Sequence, residues 1–413
     1  MDISRKQYSS PFNIAVFAAG LGFFVDAFDL LLFNVIRIPS LKSLGFSGEA
    51  LTHAGESLLA IQMAGMIVGG IVSGILADRK GRATVLFASI LLYSIANLAN
   101  ATVQDFTFYA IVRFLAGVGL AGELGAGIAL VGEKMTSTHR GLGTIMVATL
   151  GGLGAVAAGL IGDLLPWRTA YIIAGLAGLM LLFIRMKSLE TSLFKDSIQR
   201  RDIQHGNFFM LFKPQERFGR FIKSVLIGVP IWYCVGMLIS FMPDLAIQTG
   251  NIPAKLGTCF ILFQVGITTG DLTSGLFSQW FKNRLKVMAF YMFIALFACL
   301  FWFLNFMFWN MAISTLLLSF LMGLGCGYLS VFVTTTSEQF GTNLRVTATS
   351  SVTNFMRGSV SVLIPLHMLL RSYFDFSLSI SLILIGIFVW ILAFYAVFTS
   401  KETFGKDLDF IEK

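Results

Sequence analysis

Residues 107–131 read TFYAIVRFLAGVGLAGELGAGIALV, a block whose only charges are Arg113 and Glu123. Crossing ~30 Å of hydrocarbon takes about 20 apolar residues. Backbone groups there have no water to bond, so the block must be a helix. It also carries a pattern that returns. Gly117-x-Gly119 is followed by Glu133 and, seven residues on, Arg140; Gly323-x-Gly325 is followed by Glu338 and, seven on, Arg345. The offset is 206 for the glycines and 205 for the Glu/Arg pairs. Gly65, Gly69 and Gly74 recur as Gly266, Gly270 and Gly275 at a constant offset of 201. The chain therefore reads as two related halves, a parallel-repeat plan known among polytopic membrane proteins.

The same reading extended outward gives spans at about 12–36, 53–77, 83–102, 107–131, 141–164, 166–187, 220–243, 254–280, 286–304, 308–333, 346–370 and 376–399. Of the 413 residues 56% are hydrophobic and 13% charged, too little charge to cover a soluble surface. The net charge of +8 invites a nucleic-acid partner, but its placement argues against one. With the N-terminus inside, 23 of the 30 Lys and Arg fall on the cytoplasmic side. Five, Arg37, Lys42, Arg168, Lys255 and Arg371, fall outside. The positive-inside rule then places both termini in the cytoplasm. The longest polar interval, 188–219, reads as a cytoplasmic linker between a six-helix bundle at 1–187 and a second at 220–413 with a short tail. Cys234, Cys259, Cys299 and Cys326 all fall in spans and read as packing residues, not as a disulfide or metal framework. The first span is expected to be retained, because Asp26 and Asp29 interrupt it and no small-residue cleavage site follows.

The loop after the second span reads Gly74-x-x-x-Asp78-Arg79-x-Gly81-Arg82. Gly74 permits close helix approach and Gly81 a sharp reversal, while Asp78 can pair with cations and with a neighbouring helix N-terminus. This loop resembles the G-x-x-x-D-R-x-G-R signature of the major facilitator superfamily. The resemblance implies an all-α membrane protein of twelve transmembrane helices in two six-helix bundles. It also implies a cytoplasmic latch at Asp78, Arg79 and Arg82. The stretch Arg113–Glu123 is similar to the fourth helix of sugar-porter-like and metabolite:proton symporters. Trp167-Arg168 is similar to the opening of their sixth, and Leu189-Glu190-Thr191-Ser192 to the loop after it, without its proline. Glu402-Thr403-x-Gly405-Lys406-x-Leu408 resembles their tail, with Lys401 where a proline is usual.

Charges inside spans are costly unless paired, so function is sought there. Asp26 and Asp29 are three apart and share a face of the first helix. Asp29 and Arg113 are expected at similar depths, roughly 10 Å below the outer ends of their helices, and able to meet. A carboxylate that is neutral when desolvated and charged when an arginine approaches is what proton coupling needs. A permanent salt bridge is the competing reading. The resemblance agrees with coupling, since sugar/proton symporters have an Asp–Arg pair at these positions. Asp26 is a second protonation site or a substrate contact. Glu123, about 15 Å deeper than Arg113, is a proton relay, a polar substrate contact or a packing residue. Asp271 reads as a brace for the cytoplasmic gate, with Glu133/Arg140 and Glu338/Arg345 as gate charges.

Arg357 lies near mid-membrane, one turn after Asn354. It resembles the eleventh-helix arginine of organic-anion carriers, although the two glycines before it are absent. It either holds a substrate carboxylate bidentately or pairs with Asp271 or Glu123. Trp232 and Tyr233 beside Pro230, with Gln264 and Gln62, are candidate pocket liners or ordinary packing residues. His367 reads as structural.

Absences narrow the function further. The paired glutamines of the hexose carriers' seventh helix are missing, with Ile231-Trp232-Tyr233-Cys234 in the region, and 149–159 lacks the Gly-Pro motif of antiporters. With no phosphate loop or metal-ligand cluster in the sequence, neither an ATP-driven pump, an enzyme nor a cofactor is expected. The expectation is a monomeric, multi-pass transporter of a bacterial inner membrane, partnered by lipid, protons and a small molecule. Proton-coupled symport of a small organic anion leads. Export of a metabolite, siderophore or drug by proton antiport, and a transporter-like receptor, are the alternatives.

Overall fold

The computed structural model describes residues 14–80, 82–122, 140–189, 208–250, 254–309, 311–341, 344–405 and 412. Among these no strand occurs, and the described part of each expected span is helical. The first half holds α1 (Ile14–Ser43), α2 (Gly48–Lys80), α3 (Arg82–Asn100), α4 (Phe106–Leu120), α5 (Arg140–Leu164) and α6 (Trp167–Leu189). In the second half α7 (Gln215–Tyr233) continues through a π-helical turn, Cys234–Ile239, into α8 (Met242–Gln248). Next come α9 (Leu256–Phe281) and α10 (Arg284–Leu304), the latter ending in a π turn, Asn305–Trp309. Then α11 (Ala312–Cys326) and α12 (Leu329–Gln339) form one rod, α13 (Arg345–Gly358) and α14 (Val360–Phe374) another, and α15 (Leu378–Thr399) the last. Among the described residues, seven helices are long and apolar enough to cross a membrane by length and composition. The polar α13 is not one of them. It packs against α2 of the other half, so it needs no lipid-compatible surface there.

The sequence repeat is a repeat of contacts. A Cβ on Gly65 or Gly69 of α2 would collide with the carbonyls of Phe114 and Val118 in α4, and one on Gly117 with that of Gln62. One half later, Gly266 and Gly270 of α9 meet the carbonyls of Phe320 and Leu324 in α11, and Gly323 meets that of Phe263. Lipid provides no hydrophobic drive between helices, so close backbone packing of this kind holds them together.

The two halves touch where α2 meets α13 and α14, and where α5 meets α9. Beside these, Ser240 Oγ donates to Asn34 Oδ1 across the halves at 2.9 Å, 206 residues away. This contact lies towards the end of the bundle opposite the chain termini, termed the distal end below.

The expected linker is described from residue 208 onward. Phe208–Phe212 forms a 3-10 turn with Phe208 and Leu211 buried, and Phe208 stacks on Phe355 at 6.4 Å. The second bundle's first helix thus already begins at Gln215. After α15 the tail folds back on the start of α10. Glu402 accepts from the amides of Leu285 (3.1 Å), Thr403 and Phe404 (2.9 Å each). Partial burial works against the charge, but these amides hold the Glu402 carboxyl below its usual value. The four cysteines are buried and free, with the Cys234 and Cys299 sulfurs 3.5 Å apart, as packing residues would be.

Candidate functional site

The mid-bundle site begins with two carboxylates on one face of α1. Asp26 and Asp29 are each 1% exposed. Asp26 Oδ2 lies 2.9 Å from Arg357 Nη2, an ion pair joining α1 of the first half to α13 of the second. The Arg357 guanidinium sits 5.7 Å from the Trp232 ring centre. Among the described residues, its Nη1 has no hydrogen-bond partner. A buried guanidinium half spent on a carboxylate and half free can bind a second anion. Pro230 lies in the same helix as Trp232, and that helix passes into the π turn immediately after Tyr233.

Asp29 forms no ion pair among the described residues, and its carboxylate oxygens have no hydrogen-bond partner there. Arg113 Nη2 donates to Asn97 Oδ1 at 2.7 Å. Its guanidinium is boxed by the rings of Phe33 (5.1 Å) and Tyr171 (4.9 Å). Tyr171 is held in turn by Tyr109 at 2.6 Å, and Tyr109 by Ser40 at 3.0 Å. The direct Asp29–Arg113 ion pair expected from helix depth is therefore not formed, and Arg113 is bonded to the Asn97 amide instead. α1 itself runs on through Pro39 to Ser43, past its predicted end.

Several expected roles resolve differently. Arg357 pairs with Asp26 and not with Asp271. Asp271 Oδ1 instead accepts from the Ser330 amide at 2.8 Å, a carboxylate on the N-terminal turn of α12. Replacing Asp271 with Ala should cost about 1 kcal/mol, the usual worth of such a cap, read as a lower melting temperature of the purified protein. Glu338 takes Arg284 at 2.7 Å, not Arg345. Arg345 opens α13 just after α12 ends, so its Nε falls back on the terminal carbonyls of Ser337 (3.0 Å) and Phe340 (3.3 Å). The Tyr233 hydroxyl donates to the Leu382 carbonyl of α15 at 2.8 Å. Tyr233 neighbours Trp232 on a helix, and adjacent side chains there point apart. Asn354 Nδ2 is spent on the carbonyls of Ala121 (3.0 Å) and Ser350 (3.1 Å). Gln264 is half-buried near Gly152 at the α5–α9 contact. Gln62 is fully buried, and neither end of its amide is bonded among the described residues. Glu123 and Glu133 lie outside the described residues, as do the side chains of Asp78, Arg79, Arg82 and Arg140.

Residues 19–365 match the family model of the Major Facilitator Superfamily, a stretch that contains Asp26, Asp29, Arg113 and Arg357. The chain belongs to that superfamily. Over 96% of its length, and 95% of the relative's, it is 25% identical to a niacin transporter of Acinetobacter baylyi. It is 26% identical to a cis,cis-muconate transport protein of the same organism, over 84% of this chain and 85% of the other. It is 28% identical to a 3-(3-hydroxy-phenyl)propionate transporter of Escherichia coli, over 51% of this chain and 52% of the relative. The superfamily is one of multi-pass membrane transporters, not of enzymes.

In this superfamily member the distal end holds a second polar cluster that sequence reasoning missed. Arg37, assigned to an outer loop, is instead 2% exposed, inside α1. Its Nη2 lies 3.6 Å from Asp244 Oδ2 and donates to the Ser240 carbonyl at 3.1 Å. Thr52 Oγ1 donates to Asp244 Oδ1 at 3.2 Å. Glu56, 1% exposed, faces His367 Nε2 at 3.4 Å, Arg371 Nη1 at 3.5 Å and His53 Nδ1 at 3.8 Å. The rule that finds intramembrane charges would have found Glu56, which stands inside the predicted second span. Nothing local marks Arg37, because its burial depends on α1 continuing past the predicted end.

Proposed function

We propose that the protein is a proton-coupled symporter of a small, flat organic carboxylate, working by alternating access between the two bundles. We place it in a bacterial cell membrane with both termini cytoplasmic, which the bacterial relatives and the distribution of Lys and Arg support. One observation carries the reading of the site: Arg357 is buried between the bundles, held through one nitrogen by Asp26 and free at the other. The relatives support the substrate class, since niacin, muconate and hydroxyphenylpropionate are all unsaturated or aromatic carboxylic acids. The Trp232 face beside the guanidinium suits a flat acid lying against it.

Coupling follows from charge. With Asp26 ionised, Arg357 is already neutralised, and a second anion in a low-dielectric site is repelled. A proton on Asp26 releases the guanidinium, and a substrate carboxylate takes it through two parallel hydrogen bonds. The loaded site then carries one proton and one anion, and the empty site carries the internal ion pair. Neither state leaves an unpaired charge to cross the barrier. Asp29 is the second carboxylate of this system, on the same face of α1 as Asp26.

The test is flux in vesicles. An inward proton gradient should drive accumulation of nicotinate or cis,cis-muconate, and a protonophore should abolish it. Uphill efflux under the same gradient would establish antiport instead, and binding without flux would leave a receptor.

A further inference from the structure

We propose that Arg37, Glu56, Asp244 and Arg371 form a charge quartet that exchanges partners when the distal end opens, a device that rests on the alternating-access reading. In the present arrangement both ion pairs cross the bundles, Arg37 to Asp244 at 3.6 Å and Glu56 to Arg371 at 3.5 Å. The first bundle contributes Arg37 and Glu56, the second Asp244 and Arg371. Each bundle thus brings one cation and one anion. All four are largely buried, and separating two buried pairs would strand four charges at heavy cost.

The geometry offers a way around that cost. The Arg37 guanidinium crosses α2 over Gly55, the residue before Glu56. A Cβ there would stand 3.1 Å from Arg37 Nε and 3.2 Å from its Cδ. Arg37 is therefore within one residue of Glu56 along α2 of its own bundle. The cross-bundle distances of 3.5–3.6 Å are long for charge-assisted bonds, which favour about 2.7–2.9 Å. Arg37 Nε and Nη1 and Arg371 Nη1 have no hydrogen-bond partner among the described residues. Opening then replaces Arg37–Asp244 and Glu56–Arg371 with Arg37–Glu56 and Asp244–Arg371. His53 and His367 around Glu56, and Thr52 on Asp244, solvate the carboxylates during the exchange.

Charge reversals separate the two pairings. Ser240, fully buried at this interface, is replaced by Cys in every variant, and labelling by a membrane-impermeant maleimide reports distal opening. The chain without that substitution is the control for the four buried native cysteines. Arg37→Glu with Asp244→Arg keeps the cross-bundle pairs but sets like charges together within each bundle; labelling should slow by roughly tenfold or more. Arg37→Glu with Glu56→Arg keeps the within-bundle pair but opposes like charges across the interface; labelling should quicken by a similar factor. Reversing all four should return the rate towards that of the parent. If the first double reversal labels like the parent, the quartet is only a static clamp and the proposal falls. It falls too if the second does not quicken labelling. Labelling shifts without proton-driven accumulation would refute the symport reading alone, and accumulation with unmoved labelling would refute the quartet alone.

Discussion

Replacing Arg357 with Ala is expected to abolish carboxylate binding and accumulation, leaving vesicles no better than protein-free controls. The substitution removes the only cation paired with Asp26 among the described residues and strands that carboxylate in a buried site. Breaking a buried pair at one partner costs about 3–5 kcal/mol, so a lower melting temperature is expected as well. The double variant Asp26→Asn/Arg357→Ala separates the two effects. It should recover much of the lost stability, because no buried charge remains unpaired, yet still fail to bind. Arg357→Lys keeps the charge but not the planar fork, and should retain only weak binding. Thermal stabilisation by nicotinate or cis,cis-muconate, followed against ligand concentration, reads all three variants. Ligand-induced stabilisation persisting in Arg357→Ala would remove that residue from the binding site.

Asp26→Asn should have the opposite signature, tighter binding with lost coupling. The amide no longer competes for Arg357, so the binding-competent form is present without a proton. Apparent affinity at neutral pH should rise on the order of tenfold, the gain expected when a minor competent state becomes dominant. Counterflow should persist, while accumulation driven by a proton gradient falls to the uncoupled level. The pH dependence of affinity should flatten at the same time. Asp29→Asn is the informative comparison. If it alone uncouples, the proton rides on Asp29 and Asp26 serves only to hold Arg357 between substrates.

Much of this is legible in the amino-acid sequence. The glycines at 65, 69 and 117 and their partners at 266, 270 and 323 need only their spacing to mark two related bundles. Each is a place where one helix backbone lies against another. The intramembrane charges Asp26, Asp29, Arg113 and Arg357 stand out by the cost of burying them, which holds whatever the fold. Their pairing is not legible. Counting residues from helix ends matches Asp29 with Arg113, whereas Arg113 is bonded to Asn97 and Asp26 takes Arg357. Tyr233 looks as good a pocket residue as Trp232, because one step along a helix turns a side chain to another neighbour without altering its composition.

The sequence by itself determined that this chain spans a membrane in two homologous halves, and which few charges the membrane would have to hide. Those are matters of local composition and period: hydrocarbon demands apolar blocks, close helix packing demands glycine, and both leave marks within a few residues of each other. Only the tertiary structure decided that Asp26 faces Arg357, 331 residues away, that Arg113 is bonded to Asn97, and that four distal charges join the bundles in crossed pairs. Each of these depends on how far one helix is rotated and shifted against another in the opposite half. Packing across the whole molecule sets that relation, and no spacing within a single helix records it.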